Sequence, residues 1–164
     1  MSSRAQMEIF GLVIIVILLA IGLLFAIVIL TKTPVSDVQR VKESVMASNF
    51  LNTMMGTTSQ GCNKRSVREL LQDCAVAAED WSNAFVCDNG LNTCQLAKDM
   101  ISNMLNQTLN VWGKDYSFFI KGTDAVDKIK LEYGDCSGER EGASRPEKVR
   151  SGLDIVVTLH LCQD

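Results

Sequence analysis

Apolar and polar positions divide the chain into three regimes. From Ile9 to Leu30 every residue is apolar or glycine, IFGLVIIVILLAIGLLFAIVIL. As a helix these twenty-two residues reach ~33 Å, the thickness of a bilayer's hydrocarbon core. The run predicts a transmembrane helix over 9–30. Thr33-Pro34 follows, and proline, which lacks an amide proton and disfavours helix at the residue before it, either kinks one long helix or starts a second. Beyond it Val38, Val41, Val45, Leu51 and Met55, with Met46, Phe50 and Met54 alongside, recur at helical spacing. That spacing predicts an amphipathic stem helix over 31–55 whose stripe packs on the rest of the protein.

The second regime is also helical. After the loop GTTSQGCNKR, Ser66-Val67-Arg68-Glu69 has the form of a capping box, in which the serine hydroxyl and the glutamate each satisfy an open backbone amide. The helix it opens runs to about Phe85, with Val67, Leu70, Leu71, Cys74, Ala75, Ala78 and Trp81 on its buried face. Cys87-Asp88-Asn89-Gly90 reads as a turn, and Asn92 or Thr93 caps a further helix ending near Gly113. The two make a helical hairpin.

The third regime alternates with period two, the signature of half-buried strands. Tyr116, Phe118 and Ile120 mark one strand, Ile129, Leu131 and Tyr133 a second, and Leu153, Ile155, Val157, Leu159 and Leu161 a third. The first two form an antiparallel pair across a longer loop, and Gly134–Gly152, dense in charge, reads as a polar loop leading to the last strand. The fold class is therefore α+β: a transmembrane helix, an amphipathic stem helix, a helical hairpin and a small antiparallel sheet, with 56–164 as one head.

Composition alters the picture in one respect. The six cysteines, Cys62, Cys74, Cys87, Cys94, Cys136 and Cys162, all follow the apolar run. An even number on one side of a membrane fits disulfides in an oxidising compartment and places the head outside the cytoplasm. The flanking charges, Arg4 against Glu8 before the run and Lys32, Arg40 and Lys42 after it, do not decide the orientation by themselves. Six cysteines allow fifteen pairings. Strand-end positions favour Cys136 with Cys162; Cys87 and Cys94 bracket the helical turn, which leaves Cys62 for Cys74. No Cys-x-x-Cys occurs, so a zinc ribbon or thioredoxin-type redox site is not expected. The net charge of -3 is spread along the chain and leaves no footprint for nucleic acid.

The residues ahead of the apolar run carry a resemblance. Arg4-Ala5-Gln6-Met7-Glu8 sets a basic residue, a small residue, glutamine and a nearby glutamate at the start of a long apolar helix. It resembles the class III signal peptide of archaeal type IV pilin-like proteins. The resemblance covers roughly the first 30 residues. It implies that 1–8 is a short cytoplasmic leader, that a membrane-embedded prepilin peptidase cuts between Ala5 and Gln6, and that the retained helix assembles copies into a surface filament. By the same resemblance Glu8 neutralises the amino terminus of a neighbouring subunit, although it stands two residues nearer the cleavage point than the family's usual glutamate. An apolar core of this length also exceeds that of a secretory signal peptide, and TKTPV offers no small-residue cleavage site after it.

Catalytic signatures are absent: there is no nucleophile elbow, no phosphate-binding glycine loop and no metal-spaced histidine pair. His160, the one histidine, falls on the outward side of the last strand with Asp154, Thr158 and Cys162 and reads as a surface or edge residue. Trp81 and Trp112 read as core anchors. Asn106-Gln107-Thr108 is a glycosylation acceptor triplet on the polar side of a helix. The chain is thus expected to be no enzyme and to need no cofactor or metal. Its expected partners are membrane lipid, further copies of itself and a prepilin peptidase. A membrane-anchored binding or sensory module that never assembles is the alternative.

Overall fold

A computed structural model describes the backbone of residues 3–31 and 35–162 and the side chains of 12–29 and 40–162. The break expected at Thr33-Pro34 and the side chain of Val38 lie outside the described residues. The chain divides into two compact units, Met1–Gln39 and Arg40–Asp164. In the first, α1 (Ser3–Thr31) is one continuous helix, so helix already includes most of the expected leader.

The second unit is the head. Its elements are the greater part of α2 (Val35–Gly56), then α3 (Val67–Val76), α4 (Thr93–Leu105), β1 (Tyr116–Lys121), the single turn α5 (Asp124–Asp127), β2 (Lys130–Tyr133), β3 (Arg140–Arg150) and β4 (Leu153–Cys162). The strands form one antiparallel sheet in the order β2-β1-β4-β3. Its inner face, Phe118 and Ile120 from β1 and Ile155, Val157, Leu159 and Leu161 from β4, joins one apolar core with α2, α3 and α4. The α+β class and the antiparallel sheet are as the periodicity implied.

Helix α2 lies in that core by a narrower stripe than expected. Ala47, Leu51, Met54 and Met55 are at most 1% exposed, whereas Val41 and Val45 are 64% and 53% exposed. At about 100° per residue, Val45 stands some 200° round the helix from Glu43, which begins the buried stripe. The valines therefore face away from the core.

The capping box of α3 is present: Ser66 Oγ accepts from the Glu69 amide at 3.3 Å, and Glu69 Oε2 accepts from the Ser66 amide at 2.7 Å. The helix stops at Val76, well short of Phe85, and Trp81–Asn83 forms a separate 3₁₀ turn. Its end is set by tertiary contacts. The carbonyls of Ala75, Ala78 and Glu79 accept from the Thr123 hydroxyl, the Ala125 amide and the Lys128 ammonium of the β1–β2 connection. Trp81 Nε1 donates to the Ala125 carbonyl at 2.7 Å. Helix α4 begins as expected, with Asn92 Oδ1 accepting from the Gln95 amide. It ends in a π-helical segment, Asn106–Asn110, ahead of Gly113.

The largest departure is β3. The stretch expected to be a polar loop is an eleven-residue edge strand paired with β4 along nearly its whole length. It shows no apolar alternation because its inward side chains meet polar partners. Arg40 Nε donates to Glu141 at 2.6 Å, Arg145 to Asn52, and Arg68 pairs with Glu147 at 3.0 Å. Pro146 and the charges suit an edge, where a missing amide costs little and further strand pairing is discouraged.

Disulfides join Cys62 to Cys87, Cys74 to Cys94 and Cys136 to Cys162. Two of these correct the pairing expected for the helical half, Cys62 with Cys74 and Cys87 with Cys94. Cys74 and Cys94 lie on the buried stripes of α3 and α4 and meet where those helices face each other. Cys87, in a small antiparallel bridge, stands opposite Leu91 and away from Cys94. Cys136 lies beyond β2 in the connection to β3, so its bridge ties that connection, rather than a strand, to the end of β4. Gly134, at φ 75°, allows the same connection to pass Asp115, whose carboxylate accepts from the Asp135 amide at 2.9 Å. A Cβ at Gly134 would overlap that carboxylate.

Peptide mapping without reduction should recover these three pairs, and recovery of Cys87–Cys94 would contradict the helix packing. Gly134→Ala should destabilise the head by about 2 kcal/mol or more in urea titration, combining left-handed strain with displacement of Asp115. Gly90→Ala, also at positive φ but with open space around it, should cost only the strain, about 1–2 kcal/mol.

Candidate functional site

The first functional surface is α1. From Leu12 to Ile29 its mean hydropathy is 3.6, no part of the window is buried, and it has the length and apolarity to cross a membrane. Leu12, Leu19, Phe25 and Ile29 are all about two-thirds exposed. Burying each such side chain in an apolar medium is worth about 1.5–3 kcal/mol, so this helix calls for surroundings other than water. Ala5, Gln6 and Glu8 fall on its helical backbone, and their side chains lie outside the described residues.

The second is a groove of about 580 Å³ on the head, lined by Lys42, Val45, Met46 and Phe50 of α2 and by Trp112 at the turn after α4. Trp112 is 58% exposed and is not the core anchor expected; Trp81 is packed against the core. The turn is held in place. Gly113 takes φ 64°, the Lys114 amide donates to the Leu109 carbonyl, and Lys114 Nζ pairs with Glu43 at 3.2 Å. Glu43 is itself nearly buried, at 5% side-chain exposure. The signals in the sequence were Val41 and Val45, out of phase with the buried stripe, and an aromatic residue just before a helix-ending glycine.

The outer face of the sheet holds His160. The residue is partly buried on a central strand, not at an edge, and Thr158 and Cys162 of the same face are buried beside their neighbours. Its ring meets Phe119 edge-on at 5.5 Å, and its register partners are Ser117 and Gly142. A Cβ at Gly142 would overlap the Leu159 carbonyl oxygen and stand 2.7 Å from His160 Cδ2, so the glycine makes room first for the β4 backbone and then for the ring. Burial, and then the charge of Arg140, push the imidazole below its ordinary value near 6.5.

Asn106 is exposed at the start of the π-helical segment. Its Oδ1 accepts from Asn110 at 3.1 Å and from Tyr116 at 3.4 Å. Among the described residues no group of three or more His, Cys, Asp and Glu could hold a metal ion. All six cysteines are in disulfides, so none is a free thiol. No protein-family model matches the chain, and comparison with curated proteins and with solved structures likewise finds no match.

His160 links pH to stability with a definite sign. Because the folded state holds its proton less tightly than the unfolded chain, its contribution is complete above about pH 6.5 and is lost as pH falls toward the depressed folded value. Denaturant titrations across this window should show His160→Gln losing less stability on acidification than the parent protein. An equal loss in both would remove His160 as a source of the dependence.

Proposed function

We propose that the protein is a pilin-like structural subunit of a type IV pilus-like surface filament. A prepilin-type peptidase removes 1–5, α1 stays in the membrane as a single pass, and the disulfide-stapled head lies outside the cytoplasm. The observation that carries this reading is α1: its apolar window is wholly uncovered by the chain, and Arg4-Ala5-Gln6 stands ahead of it. A helix that is apolar all round can leave lipid for a bundle of its own copies without exposing polar groups. The three disulfides support the head's place in an oxidising compartment. In this reading Glu8 offsets a neighbour's new amino terminus, and the head has no catalytic role.

The groove beside Trp112 favours a second reading, a membrane-anchored module that binds a partner and never assembles. Mass spectrometry of protein isolated from its native host separates the two. The subunit reading expects an amino terminus at Gln6, abolished by Ala5→Leu, and filaments visible by electron microscopy. An intact Met1 or Ser2 would end it.

A further inference from the structure

We propose that Asn106 carries an N-linked glycan, attached while the head crosses the membrane and before the end of α4 folds. The inference rests on the reading that the head lies outside the cytoplasm, and it holds whether or not the protein assembles.

Asn106-Gln107-Thr108 is the one Asn-x-Ser/Thr triplet in the chain. The folded head accommodates a sugar at its first residue. Asn106 is exposed, as is Gln107 beside it. The hydrogen bonds to its side chain, from Asn110 Nδ2 at 3.1 Å and from the Tyr116 hydroxyl at 3.4 Å, both end on Oδ1. Nδ2, the atom that bears the sugar in an N-glycan, makes no hydrogen bond among the described residues. Substitution at Nδ2 therefore leaves the carbonyl and both of its donors in place.

The same geometry dates the transfer. Residues two apart on a helix do not face each other, whereas in an extended chain they lie on the same side. In the folded head Asn106 bonds to Tyr116, while half-buried Thr108 lines the groove beside Trp112. The folded segment thus cannot offer the Asn106 amide and the Thr108 hydroxyl to one enzyme site, and the extended chain can. Translocation provides that chain. Helix α4 has thirteen residues, a length at which an isolated helix is marginal in water. What holds its end comes later in sequence: Tyr116 of β1 bonds to Asn106, and Leu105 and Leu109 share their core with β1 and β4. With α1 as the anchor, Asn106 emerges ahead of those strands.

The sugar donor is a lipid-linked oligosaccharide whose anomeric carbon is esterified to a phosphate of the lipid carrier, and a membrane glycosyltransferase of the host catalyses the transfer. Asn106 Nδ2 forms a bond to the anomeric carbon and the carbon–oxygen bond to the phosphate breaks. The lipid phosphate leaves with the electron pair, and the proton lost from nitrogen passes to a base of the enzyme. No oxidant or reductant is involved.

The test is mass spectrometry of the Asn106 peptide from the full chain isolated from its native host. The peptide should carry an added mass that fragments into sugar units. T108A should lose it with Asn106 intact, T108S should keep it, and N106Q should lower the mass of the whole protein by the same amount. A bare Asn106 in the parent, or a glycan that persists in T108A, would overturn the proposal. The order of events is read on protein made in a host without N-glycosylation and mixed with native-host membranes. The reduced and alkylated chain should accept the glycan and the folded head should not; equal transfer to both would overturn attachment before folding. A membrane-impermeant amine reagent on whole cells reports on the compartment separately, through the exposed Lys64. Lys64 unlabelled with Asn106 bare would remove the extracytoplasmic reading and the glycan with it, whereas Lys64 labelled with Asn106 bare would remove the glycan alone.

Discussion

The passage from β2 to β3 crosses the end of the sheet, and the head depends on its being pinned there. With β1 and β4 at the centre, the two strands it connects lie on opposite edges, three strand spacings or about 14 Å apart. Asp115, just before β1, organises the crossing from below. Its carbonyl accepts from the Cys162 amide and its carboxylate from the Asp135 amide, while Gly134 clears the space above it. The Cys136–Cys162 disulfide fixes the same connection to the end of β4. Once the chain is across, β3 is delivered in register beside β4.

That strand closes the head by polar contacts. Glu141, Arg145 and Glu147 face α2 and α3, where Arg40, Asn52 and Arg68 receive them. The Arg40–Glu141 pair, half open to water on the arginine side, contributes little net stability, whereas Glu147 is buried and depends on its arginines; all of them penalise a shifted register, since a one-residue slip would turn every charge to the opposite face. Apolar burial supplies the driving force elsewhere, in the layer between the inner face of β1 and β4 and the three larger helices. In the helical half, the Cys74–Cys94 disulfide holds α3 to α4, and Cys62–Cys87 joins the segments that precede them. Both helices are short, of ten and thirteen residues, at or below the length at which isolated helices become marginal.

The chain therefore presents two kinds of apolar surface with different physical status. On α1 the surface is continuous and surrounds the helix, and only an apolar medium or other helices can accommodate it. On the head it is confined to single side chains, among which Val45 and Trp112 line one groove.

Much of this architecture was legible in the order of the residues. The apolar run, the Ser66 capping box, the start of α4 at Asn92 and the alternation of β1, β2 and β4 each follow from local chemistry that a single element satisfies by itself. Ala5, Gln6 and Glu8 were readable there only as a motif, the basis of the proposed processing. What the tertiary structure decided is whatever depends on a partner distant in sequence. Strand β3 has no local apolar signal because its inward charges are satisfied by α2 and α3. The end of α3 is set by donors from the β1–β2 connection, with no local breaker. The pairing of Cys74 with Cys94 follows from which faces of α3 and α4 meet, and that of Cys62 with Cys87 from the approach of the segments before them, where the Asn89 amide donates to the Gly61 carbonyl. Trp112 and Val45 line one groove because helical phase sends Val41 and Val45 away from the core, while the part-buried Glu43–Lys114 pair fixes the turn. Periodicity shows that a side chain is apolar; only packing decides whether it is covered.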